Sequence, residues 1–333
     1  MVGFFYDPNI HPYSEYQLRL LDVKRSCKLL NIELIEGEYD TKNWLEAVRG
    51  LEKEPEKGAR CAVCFDRRFE VTAEKAYELG ETSFTSTLLT SPKKSLKQLS
   101  IAGDRLAKRF GIKFIAPNYR KASGTQEQNI LAKKDSLYRQ DYCGCLFGLS
   151  MQREEQQRLA DELFSPISKQ IQAESIEARL ELYERRWDLE EKNINYKIVK
   201  ERFLNWRQTF ANLKIKKESV PAHFLPYSTL KKSYSRGKIE YNIGELHYMN
   251  RDEIKFITLQ HYNKLMRSSY KSIMELIFNP PTLESEIRLR QKLISNPFDL
   301  SSILVIKQIP TQKVEIVNIS HIYEDVQEVL YKV

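Results

Sequence analysis

The feature that most constrains the fold is the alternation of short apolar runs with helical patterns over the first 117 residues. In the helical segments, apolar side chains recur every three or four residues, which places them on one face of a helix. The apolar runs are residues 2–6, 32–36, 83–89 and 112–117, and the helical segments are residues 13–30, 41–51, 61–80 and 96–111. Strands that alternate with helices of this length build a parallel sheet with helices on both faces. The sequence therefore predicts an α/β first domain.

The composition changes beyond residue 150 and predicts a second domain. Residues 151–217 are rich in Glu, Arg, Lys and Gln and poor in glycine, which favours long helices. Farther along, strand-like runs are mixed with a helical pattern, at residues 303–309, 313–319 and 253–277. We therefore predict a first domain over residues 1–155 and a mixed α+β C-terminal extension over residues 156–333.

The composition also excludes several classes of protein. The chain is 41% hydrophobic and 29% charged, as globular proteins are. No apolar run reaches the ~20 residues that cross a bilayer, and the N-terminus lacks the basic and apolar regions of a signal peptide. We therefore expect a cytoplasmic protein with no membrane partner. The net charge of +8 favours an anionic partner, nucleic acid above all, although a solvated basic surface is the simpler account.

Four of the five cysteines lie in two short motifs, CAVC at residues 61–64 and CGC at residues 143–145. An odd count without a secretion signal argues against a disulfide framework. Cys61 and Cys64 have the CxxC spacing at the start of a predicted helix, so both thiols can face one metal or each other. A helix N-terminus and nearby arginines favour the thiolate, which binds zinc or an iron–sulfur cluster. A metal site, a redox pair and a plain buried pair all remain open.

The CGC motif has two interpretations of equal weight. Gly144 accepts the unusual torsions that a disulfide between Cys143 and Cys145 requires. Such a strained bond is more oxidising than a relaxed one, so it suits electron exchange. Alternatively, the two cysteines share an all-thiolate zinc site with Cys61 and Cys64.

Two polar residues that follow the first predicted strand are further candidates. Asp7 and His11 lie at the edge where parallel α/β sheets bind their ligands. His11 can donate a proton or bind a metal, and Asp7 can contact a metal or a substrate, but turn, capping and packing roles explain both residues as well. Residues 85–94, TSTLLTSPKK, offer hydroxyls and lysines that suit a phosphate.

The segments GFFYDPNIHPYSEY, RCAVCFDRRFEVTAEKA, FTSTLLTSPKK and LYRQDYCGC occur in this order, and together they resemble the QueH-type epoxyqueuosine reductases. The resemblance covers roughly residues 2–150. It implies a Rossmann-like parallel sheet, a 4Fe–4S iron–sulfur cluster as cofactor and a tRNA-modifying reaction. That reaction removes the epoxide oxygen of epoxyqueuosine at the wobble position of a tRNA and gives queuosine. The implied partners are the anticodon loop of the tRNA and an electron donor that the sequence does not identify.

The same resemblance implies roles for individual residues. Cys61 and Cys64 match one pair of cluster ligands, and Cys143 and Cys145 match a pair that cycles as a redox-active disulfide. Asp7 is placed to orient the substrate or supply a proton, as is His11. Family members carry a strand that ends in two adjacent cysteines upstream of the first motif, and we expect this strand and its ligand pair to be absent here. The alternatives are a zinc-stabilised RNA-binding module and an inactive truncated form.

Overall fold

The computed structural model describes residues 1–91, 94–120, 124–140, 142–163, 170–249 and 253–333. These residues form two compact units. The first unit comprises Met1–Ala160 and Tyr183–Asp188, and the second comprises Asp161–Leu182 and Leu189–Val333. The roles assigned above to residues 1–155 and 156–333 stay predictions. Within the described ranges, no helix combines the length and the apolar character needed to cross a membrane.

The first unit is built from short parallel strands and longer helices. Strand β1 (Val2–Phe5) pairs in parallel with β2 (Glu33–Glu36), and β3 (Ser83–Phe84) pairs in parallel with β4 (Lys113–Phe114). The helices of this unit are α1 (Tyr13–Leu29), α2 (Thr41–Ala47), α3 (Ala59–Glu78), α4 (Leu96–Phe110), α5 (Gly124–Lys134) and α6 (Leu146–Glu155). Helix α7 (Ile176–Glu191) contributes residues to both units. The predicted mixture of helices and strands is confirmed.

The single Rossmann-like sheet is not confirmed, because each parallel sheet in the described ranges has only two strands. The run predicted as a strand over residues 83–89 is a strand for two residues only. It ends where Ser86 accepts a hydrogen bond from the Leu88 N–H and caps a 3₁₀ turn at Thr87–Thr90. A serine side chain that bonds nearby backbone competes with sheet pairing, so the local chemistry ends the strand early.

Helices α3 and α4 form the main apolar core of the first unit. Their facing sides bury Phe69, Leu99 and Leu106. The chain turns after each helix at a glycine with a positive φ, 71° at Gly80 and 68° at Gly111. Glycine adopts this conformation without steric cost, and the two glycines are the last residues of the helical segments predicted over residues 61–80 and 96–111.

The second unit contains two sheets and three further helices in its described residues. One sheet has the order β6-β5-β13-β8, from β5 (Tyr196–Ile215), β6 (Glu218–Val220), β8 (Tyr234–Gly237) and β13 (Val314–Lys332). The other has the order β7-β12-β11-β10-β9, from β7 (His223–Phe224), β9 (Tyr241–Ile243), β10 (Leu246–Met249), β11 (Ile254–Thr258) and β12 (Ile303–Ile306). The helices are α8 (Leu259–Met266), α9 (Ile273–Phe278) and α10 (Leu283–Leu293).

The prediction of long helices through residue 217 is wrong for its last part. Residues 196–215 form β5, a strand of 20 residues. It pairs antiparallel with β13, from Tyr196 opposite Lys332 to Ile215 opposite Val314. Strand preference depends on the neighbouring strand more than on the residue, so a distant partner overrides the helix preference of the Glu, Lys and Arg residues in β5.

We expect Gly103→Ala to destabilise the first unit. Gly103 lies on the face of α4 that packs against β4, and a Cβ atom there would lie 2.2 Å from the Phe114 ring. The free energy of unfolding should fall by about 1–3 kcal/mol, because overpacking outweighs the roughly 1 kcal/mol that alanine gains in a helix. Urea unfolding monitored by circular dichroism measures the change. Lys108→Ala, at an exposed position of α4, is the matched control and should stay within about 0.5 kcal/mol. Unchanged stability of Gly103→Ala would contradict this packing.

Candidate active site

The loop that follows β1 contacts the CGC motif directly. Ile10 forms an isolated antiparallel bridge with Cys145. The N–H of His11 donates to the Gly144 carbonyl at 2.7 Å, and the Tyr142 hydroxyl donates to the His11 carbonyl at 2.8 Å. These backbone bonds bring together two segments that are far apart in the sequence.

This contact requires glycine at position 144. Its φ is 93°, in the region that side chains strongly disfavour. A Cβ atom at this position would also lie 2.8 Å from a guanidinium nitrogen of Arg19. Arg19 is itself held by Glu15, with 2.7 Å between Nε and Oε1. The turn between Cys143 and Cys145 therefore requires glycine for two independent reasons.

The second cysteine pair lies on the first turns of α3. Cys61 and Cys64 are three residues apart, so their side chains share one face of the helix. The Cys61 sulfur accepts a hydrogen bond from the Lys57 N–H at 3.3 Å. The Cys64 side chain packs in a buried cluster with Trp44 and Cys145, and Cys143 lies at its edge.

Burial controls the chemistry of two of these thiols. It raises the pKa of Cys64 to about 12, against the opposing effects of the Arg68 charge and the Trp44 side chain. It also raises the pKa of Cys145, although the backbone N–H of Gly148 at the start of α6 opposes the shift. Without a further cation, both side chains are neutral thiols at pH 7.

Lys94 links the two motifs electrostatically. Its ammonium group donates to the Cys143 sulfur at 3.2 Å and pairs with a Glu56 carboxylate oxygen at 3.2 Å. Burial lowers the pKa of Lys94, but its neighbours outweigh that effect and raise the pKa overall, Cys143 most and then Glu56 and Cys61. Lys94 thus places a positive charge in direct contact with the Cys143 sulfur.

The two other candidate residues have partners of their own. Asp7 forms an ion pair with Arg68 of α3. The His11 ring nitrogen Nδ1 lies 3.3 Å from the Asn9 carbonyl oxygen, and its ring centroid is 6.3 Å from that of Trp44. Burial lowers the pKa of His11, so its imidazole is neutral at pH 7. Both residues lie in the loop that contacts CGC.

Sequence reasoning missed the residues that connect these groups. Trp44 is completely buried beside Cys64, but in the sequence it looks like any apolar helix residue. Glu56 gives no signal as an individual charge in a chain that is 29% charged, whereas Arg68 is one of the arginines that the sequence places near CxxC. Lys94 belongs to the TSPKK segment that was predicted to suit a phosphate, and the structure places it against a sulfur atom instead.

The donor chemistry of this site fits an iron–sulfur cluster in part. Cys61 and Cys64 supply sulfur, the ligand type that such clusters require. In the portion of the chain that is described, no three His, Cys, Asp or Glu side chains are gathered as they would be around a metal ion. None of the five cysteines forms a disulfide bond in this structure. The pair on α3 thus fits part of a ligand set.

Comparisons with known proteins identify relatives of this chain. A family model described as epoxyqueuosine reductase QueH matches residues 1–151. A protein of that name from Helicobacter pylori is 39% identical over 99% of this chain and 92% of its own length. Proteins of the same name from Acinetobacter baylyi and Thermotoga maritima are 43% and 38% identical, over 44% and 46% of this chain and 67% and 81% of their own lengths.

We expect Cys143 to react with iodoacetamide before the other three motif cysteines. It is half-buried and lies against Lys94, whereas Cys61, Cys64 and Cys145 are buried. Raised pKa values further reduce the thiolate fraction of Cys64 and Cys145. Mass spectrometry of the reduced, metal-free protein after brief labelling at pH 8 gives the order of modification. Labelling of Cys64 ahead of Cys143 would contradict the geometry described here.

Proposed function

The chain belongs to the epoxyqueuosine reductase QueH family, and from this premise we propose that it reduces epoxyqueuosine to queuosine at the wobble position of a tRNA. As a family member it is an oxidoreductase of queuosine biosynthesis. The observation that carries the proposal is the meeting of the two cysteine motifs beside the loop after β1. The chemistry needs a source of two electrons and a place to bind the epoxide in the same small region.

Cys61 and Cys64 would hold an iron–sulfur cluster from one side. When bound, such a cluster supplies electrons one at a time, and an open iron site acts as a Lewis acid towards oxygen. The role of α3 is to present both sulfurs on one face at its N-terminal end, where backbone N–H groups favour negative charge. The buried Cys64 thiol, whose pKa is raised, becomes a thiolate when a metal replaces the proton.

Cys143 and Cys145 are the proposed store of the electron pair. Reduction of an epoxide to an alkene takes two electrons and two protons and releases the oxygen as water. Oxidation of the two thiols to one disulfide supplies both the electrons and the protons, so the step balances. An external reductant, which the sequence does not identify, then restores the dithiol by thiol–disulfide exchange.

The surrounding residues would prepare this step. Lys94 lies against the sulfur of Cys143, the half-buried cysteine of the pair. Asp7 is held by Arg68, and the His11 imidazole is neutral, so both are suited to orienting the substrate by hydrogen bonds. The backbone contact between His11 and Gly144 would keep the substrate close to the dithiol.

The proposed substrate also accounts for the charge of the chain. A net charge of +8 favours binding to phosphate. RNA bases are recognised best where they are unstacked, and the anticodon loop offers such bases. We therefore propose tRNA as the partner and the cytoplasm as the location.

Replacing either cysteine of α3 should remove iron together with activity. Cys61→Ser and Cys64→Ser each delete one thiolate ligand, so cluster iron after anaerobic reconstitution should fall to a small fraction of the wild-type content. Iron and sulfide assays with the visible absorption spectrum measure this loss. Cys27→Ser, at a cysteine outside both motifs, is the matched control and should keep iron and activity. Stoichiometric zinc and no iron colour in the wild-type protein would favour a zinc-stabilised RNA-binding module instead.

Replacing either cysteine of CGC should remove turnover and leave the iron in place. Cys143→Ser and Cys145→Ser each abolish the dithiol, so the rate of queuosine formation should fall roughly a thousandfold or more. Chromatography of nucleosides from digested tRNA measures the rate, and an iron assay on the same samples provides the comparison. Equal loss of iron in all four cysteine variants would show that the two pairs do not have separate roles.

A further inference from the structure

The second unit contains a cavity that the proposed reaction does not use. Its volume is about 270 Å³. This is just below the range of sites for drug-sized ligands, so a fitting occupant has about the size of one nucleobase. Its lining includes Gln170, Gln172, Trp206, Phe210, His223 and Glu286.

A β-bulge shapes one wall of this cavity. Along β5, Phe210 lies opposite Ile319 and Gln208 lies opposite Ser320, so Thr209 is an extra residue in the ladder. Gln208, Thr209 and Phe210 all line the cavity. Bulges interrupt a ladder where side chains are re-aimed, and they are frequent beside binding sites.

A buried carboxylate forms the polar end of the cavity. Glu286 is 1% exposed. Its Oε1 atom accepts a hydrogen bond from the Tyr262 hydroxyl at 2.8 Å and lies 2.6 Å from Nε2 of His223. Its Oε2 atom accepts from the Gln170 amide at 3.0 Å. These three partners hold the carboxylate in one position.

An unpaired acceptor lies in the same lining. Gln172 is 2% exposed, and its Oε1 atom has no hydrogen-bond partner among the residues that the structure describes. A buried carbonyl oxygen without a donor is unfavourable, and native proteins rarely leave one. A ligand with an N–H group would supply the missing donor.

The cavity is aromatic where it meets solvent. The Phe210 ring is 51% exposed and lines the cavity, and Trp206 lies deeper at 7% exposed. An aromatic ring that is half in solvent and half in a cavity is a surface on which a planar ring can stack. The cavity thus joins a stacking surface to hydrogen-bond acceptors.

We propose that this cavity binds a single unstacked nucleobase that carries an exocyclic amino group. The amino group donates to Oε1 of Gln172, and the flat face of the base stacks on Phe210. Adenine and cytosine both present such an amino group, whereas the unsubstituted purine base of a nucleotide has neither an amino group nor a ring N–H. Two sources share this chemistry, an unpaired base of the bound tRNA and a free nucleotide. The first source rests on the proposed function, and the second does not.

Titration of the protein with adenosine 5′-monophosphate and purine riboside 5′-monophosphate, with calorimetric detection, tests the recognition directly. Adenylate should bind at least about tenfold more tightly than the purine analogue, since only the adenine amino group can donate to Gln172. Gln172→Leu should weaken adenylate binding about tenfold, and Phe210→Ala should weaken it by a similar factor or more. Gln260→Leu, an exposed glutamine of α8, is the matched control. Phe210 is exposed enough that its variant should fold, which a thermal melt checks.

Filter binding of a tRNA transcript to the same variants separates the two sources. Weaker tRNA binding by Gln172→Leu and Phe210→Ala, with Gln260→Leu unchanged, identifies a tRNA base as the occupant. Adenylate binding that depends on Gln172, with unchanged tRNA binding, identifies a free nucleotide. If neither ligand responds to the two variants, the proposal is overturned. Neither measurement requires turnover, so an enzyme that fails to reduce epoxyqueuosine yet binds adenylate through Gln172 would refute only the proposed function.

Discussion

The arrangement of the first unit depends on the backbone contact between the loop after β1 and the CGC motif. The bond from the His11 N–H to the Gly144 carbonyl and the bridge between Ile10 and Cys145 close a very long loop of chain. Closing such a loop costs conformational entropy that grows only slowly with length, so a few well-made contacts suffice. Any residue other than glycine would be strained at position 144. The contact with the loop after β1 and the one-residue spacing of the CGC cysteines therefore both depend on this glycine.

Burial and reactivity oppose each other in this site. A buried thiol is a poor nucleophile and a poor ligand until something compensates its negative charge. The half-buried Cys143 sulfur contacts the Lys94 ammonium, and for the buried Cys64 the compensating charge would be iron. All four residues are cysteines in the sequence, and only their different surroundings in the structure give them different reactivity. This difference supports assigning storage of electrons to one pair and retention of a cluster to the other.

The features that depend on residues close together in the sequence could be predicted from it. The glycines after α3 and α4 end those helices as expected, and the CxxC spacing lies on one helix face. Long-range pairing could not be predicted in the same way. Strand β5 contains charged residues that suit a helix, and only β13 makes it a strand. The contacts of Lys94 with Cys143 and of Trp44 with Cys64 also join distant segments, so no window of sequence contains them.

The ladder between β5 and β13 has a consequence for biosynthesis. Strand β13 follows every other described strand in the chain, yet it lies between β5 and β8 in the sheet. During translation, β5 leaves the ribosome long before β13 has been synthesised. Until then, the backbone groups of this 20-residue segment that pair with β13 have no partner strand. The first unit has its strands close in sequence and can fold while synthesis continues. Premature termination before β13 would therefore release a folded first unit attached to an aggregation-prone edge strand.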